Sequence, residues 1–170
     1  AEHPLAVIIP CGVGGAPSGI TFGLKRIFGE NVRCFTAEPT HAPAMLLGLM
    51  TGLWDRISVK DIGIDGVTAA DGLAVGRPSK LACEILDSQI SGCFTVSDED
   101  LFKYLALLAD SEKIQVEPSA AAGLGGFDLI RNRFFQNFEW VNYIIWSTGG
   151  GMVPAAEMAE YIKRGNRSFQ

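Results

Sequence analysis

Solid apolar runs and segments of helical spacing follow one another along the chain. Residues 5–9 form an unbroken apolar run, which is typical of a strand buried on both faces. Residues 17–28 carry apolar side chains at helical spacing, and Gly29 stands where such a helix would end. The repeated succession of strand and helix predicts an α/β fold, a three-layer parallel sheet wrapped by helices.

The same patterns predict the remaining elements. Ser97 is a good N-cap for one helix, whose acidic first turn complements the helix dipole. Residues 54–76, rich in Gly and Asp, predict a long loop with short elements. Further strands are expected at residues 31–37, 92–96, 115–117 and 140–147. Further helices are expected at residues 41–53, 78–89, 98–111, 118–133 and 154–164.

Composition narrows the class of protein. Hydrophobic residues are 48% of the 170 positions, which excludes intrinsic disorder. The net charge is -5, from 14 Lys and Arg against 19 Asp and Glu, and no basic run stands out. A surface that binds nucleic acid through its phosphates is therefore not expected. The 20 glycines stand in short clusters, which indicates sharp turns or close approach of the backbone to a partner.

Cysteine usage and hydropathy bear on the location of the protein. No apolar stretch reaches the roughly 18 residues of a membrane span. The first residues show no signal-peptide pattern, and a cytoplasmic protein without a membrane partner is expected. Buried free thiols in a reducing compartment, without metal-ligand spacing, are expected rather than disulfides for Cys11, Cys34, Cys83 and Cys93.

A first glycine cluster, residues 10–19, follows the apolar strand and leads into a helix. Unpaired amide N–H groups and the helix dipole favour an anion at such a place, and the glycines let the backbone wrap a phosphate. Neither a P-loop nor a dinucleotide fingerprint is present, because Gly-Lys-Ser/Thr and Gly-x-Gly-x-x-Gly are both absent. The residues alone allow a phosphate site or a simple tight turn.

A second glycine cluster, residues 147–151, follows the predicted strand at 140–147. Ligands of open α/β sheets bind beyond the carboxyl ends of the strands, so both clusters are expected to face one crevice. A hydroxyl at the tip of the last strand would then reach a ligand ring. A flexible turn with a helix N-cap is the alternative for this segment.

Six motifs stand in the order Pro10-Cys11-Gly12-Val13-Gly14-Gly15, Ala37-Glu38-Pro39-Thr40-His41, Asp61-Ile62-Gly63-Ile64-Asp65, Thr68-Ala69-Ala70-Asp71-Gly72-Leu73-Ala74-Val75-Gly76, Val116-Glu117-Pro118-Ser119-Ala120 and Thr148-Gly149-Gly150-Gly151-Met152-Val153-Pro154. In this order the chain resembles the D-serine dehydratases, which belong to the tryptophan-synthase-β-like enzymes that use pyridoxal 5′-phosphate (PLP). The Glu-Pro and Ala-Asp-Gly motifs are shared with threonine dehydratases and serine racemases. The stretch at 61–76 and the Gly-Gly-Gly-Met-Val-Pro ending favour the D-serine dehydratases.

The resemblance implies part of the large domain of a fold-type-II PLP enzyme, with residues 1–170 as the C-terminal part of that PLP-binding domain. It also implies that Thr148 hydrogen-bonds the pyridine nitrogen. A neutral hydroxyl there leaves the ring a moderate electron sink, which suits β-elimination. The amides implied to hold the PLP phosphate are those of Gly12, Val13, Gly14, Gly15 and Ala16.

By the same resemblance, Glu38 matches a metal-ligand glutamate of the related racemases. The accompanying carbonyl position falls on Ala42, and the second carboxylate position falls on Ala44. Fewer negative ligands suit a monovalent ion, so potassium or sodium is expected if a cation binds. A charge at a helix N-terminus is the alternative role for Glu38. His41 is expected to pack or cap rather than to bind the ion.

Two further acidic residues receive structural roles in this interpretation. Glu117 is expected to cap the helix that contains Ser119. Asp71 is expected to bind backbone in its turn, and a direct catalytic role is the less favoured alternative.

The family attaches PLP to a Schiff-base lysine upstream of the glycine loop, in a Ser-x-Lys-x-Arg-Gly-like context. That context is absent here, as is the family's substrate-carboxylate loop, so the resemblance implies a C-terminal fragment that is inactive alone. Lys25 is expected to face away from the loop. The lysines of the chain are Lys25, Lys60, Lys80, Lys103, Lys113 and Lys163.

The complete enzyme implied by the resemblance converts D-serine to pyruvate and ammonia by PLP-dependent β-elimination, as a monomer that acts on a small molecule. A threonine dehydratase-like enzyme or another ammonia-lyase of the same fold is one alternative. A non-catalytic module that binds PLP or phosphate is another. A flavodoxin-like binding domain would leave the second glycine cluster unexplained.

Overall fold

The computed structural model describes residues 4–137 and 141–169. Its strands are β1 Leu5–Pro10, β2 Val32–Pro39, β3 Gly92–Val96 and β4 Asn142–Ile145. They form one parallel sheet in the order β3-β2-β1-β4. Its α-helices are α1 Gly15–Phe28, α2 Ala44–Thr51, α3 Lys80–Leu86, α4 Asp98–Glu112, α5 Pro118–Ala121, α6 Phe127–Phe134 and α7 Ala155–Arg167.

Strand β1 is buried on both faces, as its unbroken apolar run predicts. Val7 and Ile9 point to one face, where they pack with Ile20 and Leu24 of α1. The alternate residues of β1 point to the other face and pack in a core cluster that includes Leu101 of α4 and Ile130 of α6. The three-layer α/β class is therefore confirmed.

Helix α7 packs on α4, outside the layer that covers the sheet. A Cβ on Gly165 would overlap the carbonyl oxygen of Phe102, so glycine allows the two helices to approach closely. The Ser97 side chain accepts a hydrogen bond from the Asp100 N–H, which confirms Ser97 as the N-cap of α4.

Two predicted elements are wrong. The helix expected at 118–133 is broken into α5, a 3-10 helix at Ala122–Gly126, and α6. Close approach to the sheet is the cause, because a Cβ on Gly126 would overlap the Phe94 ring. Residues 115–117 form no strand, and they pack instead against the second glycine cluster, where a Cβ on Gly150 would lie 2.6 Å from the Gln115 carbonyl oxygen.

Other elements are shorter than expected. Helix α2 begins only after its N-cap Pro43, and α3 spans seven residues. Residues 54–76 contain three short 3-10 helices, as a long loop with short elements predicts. Trp140, at the start of the predicted last strand, lies outside the described residues. Among the helices of the described chain, none is long and apolar enough to cross a membrane.

Candidate functional site

The first glycine turn joins β1 to α1 at the carboxyl edge of the sheet. Gly14 adopts a left-handed conformation with φ 102°, and α1 begins at the next residue. Within the described part of the chain, the backbone N–H groups of residues 12–16 donate no hydrogen bond to the protein. The first turn of α1 has no acidic side chain. The turn therefore presents unpaired donors and a helix dipole that favour an anion.

Neighbouring elements hold this turn in place. The Val13 carbonyl accepts a hydrogen bond of 2.8 Å from the Ser79 N–H, at the N-cap of α3. Cys11 is buried, and its N–H donates to the Ala37 carbonyl at 2.8 Å. The amide array therefore belongs to a turn that is anchored on both β2 and α3.

The second glycine turn lies at the same edge of the sheet. Strand β4 pairs parallel with β1, so the carboxyl ends of both strands point the same way. Thr148 is exposed, and the preceding Ser147 hydroxyl donates to the Ala120 carbonyl at 3.1 Å. The Glu117 N–H donates to the Gly149 carbonyl at 3.1 Å. Both turns thus lie at one edge of the sheet.

A line of close contacts connects the two turns. A Cβ on Gly12 would lie 3.2 Å from the Gly72 carbonyl oxygen. The Gly72 N–H donates to the Ser119 hydroxyl at 3.1 Å, at the start of α5. A Cβ on Gly149 would overlap the Glu117 carboxylate. The Ala-Asp-Gly and Glu-Pro-Ser motifs therefore meet between the two turns, which their separation in the sequence did not reveal.

A cleft of about 320 Å³ opens beside the second turn. Its walls carry the carboxyl side chains of Asp71, Glu117 and Glu157. The Tyr161 hydroxyl hydrogen-bonds Glu157, and this bond raises the pKa of Tyr161. Three carboxylates disfavour an anionic group in this cleft. A phosphate therefore fits the amides of the first turn and not this cleft.

Glu38, at the end of β2, is fully buried. Its Oε1 accepts from the Met45 N–H at 2.6 Å, and its Oε2 accepts from the Leu46 N–H at 2.8 Å. Burial raises the pKa of Glu38 to about 8, although both hydrogen bonds lower it. Glu38 therefore lies at the N-terminus of α2 as a hydrogen-bond acceptor, which is the position that its alternative role requires.

The predicted cation ligands already have protein partners. The Ala42 carbonyl accepts from the Ala44 N–H at 3.0 Å, and both Glu38 oxygens accept from the start of α2. A cation at Glu38 would have to replace some of these hydrogen bonds. No group of three or more His, Cys, Asp or Glu side chains within residues 4–137 and 141–169 could hold a metal ion.

Three side-chain expectations need revision. His41 neither packs nor caps, because its exposed Nδ1 lies 2.8 Å from Asp65 Oδ1, and this contact raises the pKa of His41. Glu117 is the N-cap residue of α5, but its side chain makes no capping hydrogen bond. In the turn of Asp71, the carbonyl accepts from the Ala74 N–H, and the carboxyl side chain lines the cleft.

Most other expectations about side chains are confirmed. All four cysteines are free, and Cys11, Cys34 and Cys83 are buried as expected, whereas Cys93 is only partly buried. Lys25 lies in the last turn of α1, away from the glycine turn, and its Nζ is 3.9 Å from the Glu30 carboxylate. The lysine nearest in sequence to the turn therefore does not reach it.

The sequence motifs and the geometry agree with a family comparison. The family described as pyridoxal-phosphate dependent enzymes matches residues 1–139. The chain belongs to this family. PLP carries a phosphate group, which is an anion of the kind that the first turn favours.

Relatives within the PLP-dependent family are named after one reaction. A protein of Halalkalibacterium halodurans named "Probable D-serine dehydratase" is 54% identical over 96% of this chain. A protein of Pediococcus pentosaceus with the same name is 52% identical over 98% of this chain. The chain spans 39% of the length of each of these relatives.

A solved structure within the PLP-dependent family supports the fold. A fungal L-serine ammonia-lyase from Rhizomucor miehei superposes with a TM-score of 0.77 at 27% identity. The match covers 94% of this chain and 50% of that one. The predicted placement of the chain within the fold-type-II PLP enzymes is confirmed.

The sequence does not mark every residue that supports the site. Met45 and Ser79 touch the first glycine turn but come from α2 and from the N-cap of α3. Ser119 binds Gly72 across 47 positions of sequence. Only the last of these stands in a recognised motif, so a sequence could point to Ser119 but not to the other two.

Proposed function

We propose that a longer protein containing this chain converts D-serine to pyruvate and ammonia, and that this chain holds PLP for the reaction. The observation that carries the proposal is the set of unpaired backbone N–H groups at residues 12–16, at the start of α1. The 54% identity to a protein named "Probable D-serine dehydratase" supports D-serine as the substrate.

The first glycine turn fits a phosphate monoester. The proposed donors are the N–H groups at residues 12–16, and the N-terminus of α1 stabilises the negative charge. Gly14 is required for this backbone path, because a Cβ would lie 2.7 Å from the Ala82 Cβ. In this proposal, the donors for the phosphate are Gly12, Val13, Gly14, Gly15 and Ala16.

We propose Thr148 as the partner of the pyridine nitrogen. Its position after β4, beside β1 and the first turn, supports this role. A hydroxyl can donate or accept a hydrogen bond, so it does not force a proton onto the nitrogen. When bound, PLP supplies an electron sink for the negative charge at the substrate α-carbon.

The proposal assigns residues 1–170 to the C-terminal part of the PLP-binding domain. The position of Lys25 at the far end of α1 supports a Schiff-base lysine in the part of the relatives that this chain does not span. A monomeric, cytoplasmic parent protein completes the proposal, and the free thiols fit a reducing compartment.

Potassium or sodium at Glu38 and Ala42 stays a prediction. The test is the D-serine dehydratase activity of the longer protein, measured in potassium, in sodium and in a large organic cation at equal ionic strength. Equal activity in all three salts contradicts a functional cation site.

Pyruvate release from D-serine and from L-serine, with added PLP, tests the proposed reaction. The assay compares this chain with a polypeptide extended to the length of the relatives. We expect activity only in the extended polypeptide, with a preference for D-serine. Preference for L-serine would favour the reaction named for the Rhizomucor miehei enzyme. Activity of the 170-residue chain alone would contradict the assignment of the lysine.

A further inference from the structure

A loop at residues 12–16, within the first glycine turn, lies directly against a methionine side chain. A Cβ on Gly14 would overlap the Met45 methyl group, so the loop backbone and this side chain are in close contact. Met45 is fully buried, in a core cluster that also contains Cys11, the residue before the loop. The position of the loop above α2 is therefore set by how Met45 packs.

Met45 is itself held from two directions. Its N–H donates to Glu38 Oε1 at 2.6 Å, which fixes the first turn of α2 against the end of β2. Its Sδ lies 3.6 Å from the Cys83 Sγ on α3. Because the Met45 side chain is fixed in this way, its contact with Gly14 depends on the positions of α2 and α3.

The contact with Met45 falls on the buried residue of the loop. Gly14 is buried, whereas Val13, Gly15 and Ala16 are exposed. The Val13 carbonyl accepts a hydrogen bond from the Ser79 N–H, so the loop has an apolar support in addition to its polar anchors. We propose that Met45 is a positioning residue, which acts through Gly14 to aim the backbone N–H groups that bind the PLP phosphate.

This inference rests on the proposed PLP function and adds a residue that the motifs do not contain. Removing the Met45 side chain leaves a cavity next to Gly14, and the loop can then move into that cavity. Because hydrogen bonds depend on direction, displaced donors bind the phosphate less well.

Three variants of the full 170-residue chain test the inference. Met45→Ala removes the support, and Met45→Leu restores an apolar side chain of similar volume. Met158→Ala is the matched control, because Met158 is a buried methionine in the core cluster that joins α5 to α7. The control measures the effect of losing a buried methionine elsewhere.

Two measurements separate positioning from general destabilisation. Hydrogen exchange of the Ser18 and Ser79 amides, which donate to Gly14 and Val13, reports the loop position without any ligand. The dissociation constant of PLP, with the phosphorus-31 chemical shift of its bound phosphate, reports the aim of the donors. Met45→Ala is expected to speed exchange at both amides, to shift the phosphorus signal and to weaken PLP binding about tenfold or more.

The controls decide the outcome. Met45→Leu is expected to recover most of the affinity, and Met158→Ala is expected to bind PLP like the wild type. Wild-type affinity and wild-type exchange in Met45→Ala would overturn the inference. Equal losses in Met45→Ala and Met158→Ala would also overturn it. If the wild type binds no PLP, the proposed function fails, while faster exchange at Ser18 and Ser79 in Met45→Ala alone would still support the positioning role.

Discussion

A buried carboxyl group at the end of β2 shows what one residue contributes to the site. Glu38 satisfies two N–H groups at the start of α2, where intrahelical acceptors are missing. Its residue type and its motif allow both a cation ligand and a helix N-terminal charge. The structure places Glu38 at the N-terminus of α2 because the fold brings α2 back over the end of β2, which no local pattern of the sequence predicts.

The raised pKa of Glu38 predicts how stability changes with pH. The pKa of this group is about 4.3 in the unfolded chain and about 8 in the folded chain. Between these values the folded state binds more protons, so the free energy of unfolding falls as pH rises and levels off above about 8. Urea denaturation of the wild type and of Glu38→Gln between about pH 5 and pH 8 measures this slope.

The glutamine variant supplies the comparison. Its side chain does not titrate, so its free energy of unfolding is expected to change less with pH than that of the wild type. The raised pKa of His41 also lowers stability as pH rises, but equally in both proteins, so the difference isolates Glu38. Glu38→Gln is also expected to lose about 1–3 kcal/mol near pH 5, because its amide NH₂ faces a backbone N–H. Identical slopes would contradict the assigned protonation.

At the scale of elements, the junction of β1 and α1 could be predicted from the sequence. An apolar run, a glycine cluster and helical spacing gave the strand, the turn and the helix in the right order. The conformation inside the turn could not be predicted, because it depends on Met45 and Ala82 from distant helices. The helix expected at 118–133 failed for the same reason, since contact with Phe94 required glycine at 126.

Two adjacent glycines provide a matched test of the turn. Gly14 has a positive φ and no room for a Cβ, whereas a Cβ on Gly15 would meet nothing within 4 Å. Gly14→Ala is expected to destabilise the chain by about 1–3 kcal/mol and to abolish PLP binding. Gly15→Ala is expected to leave the free energy of unfolding equal or slightly higher. Thermal denaturation and PLP titration check both variants, and equal effects would contradict the assigned turn conformation.

At the scale of the whole molecule, the outer helix α7 depends on a close approach to α4. The alternation of strands and helices predicted the layers, but the contact of Gly165 with Phe102 joins residues 63 positions apart. Such contacts follow from how complete helices pack, so the spacing within either helix does not reveal them.

Gly165→Ala is expected to push α7 away from α4 and to lower the free energy of unfolding by about 1–3 kcal/mol. Gly23→Ala is the control, because Gly23 lies within α1 and a Cβ there would meet nothing within 4 Å. That variant is expected to gain about 0.5–1 kcal/mol from helix propensity. Chemical denaturation measures both, and a stabilised Gly165→Ala would show that the helices are not in close contact.

An NMR titration of this chain tests whether the first glycine turn binds PLP. We expect that PLP shifts the backbone amide signals of residues 12–16 more than any others, that inorganic phosphate competes, and that pyridoxal without phosphate does not reproduce the shifts. Unchanged signals at residues 12–16 during PLP addition would contradict it.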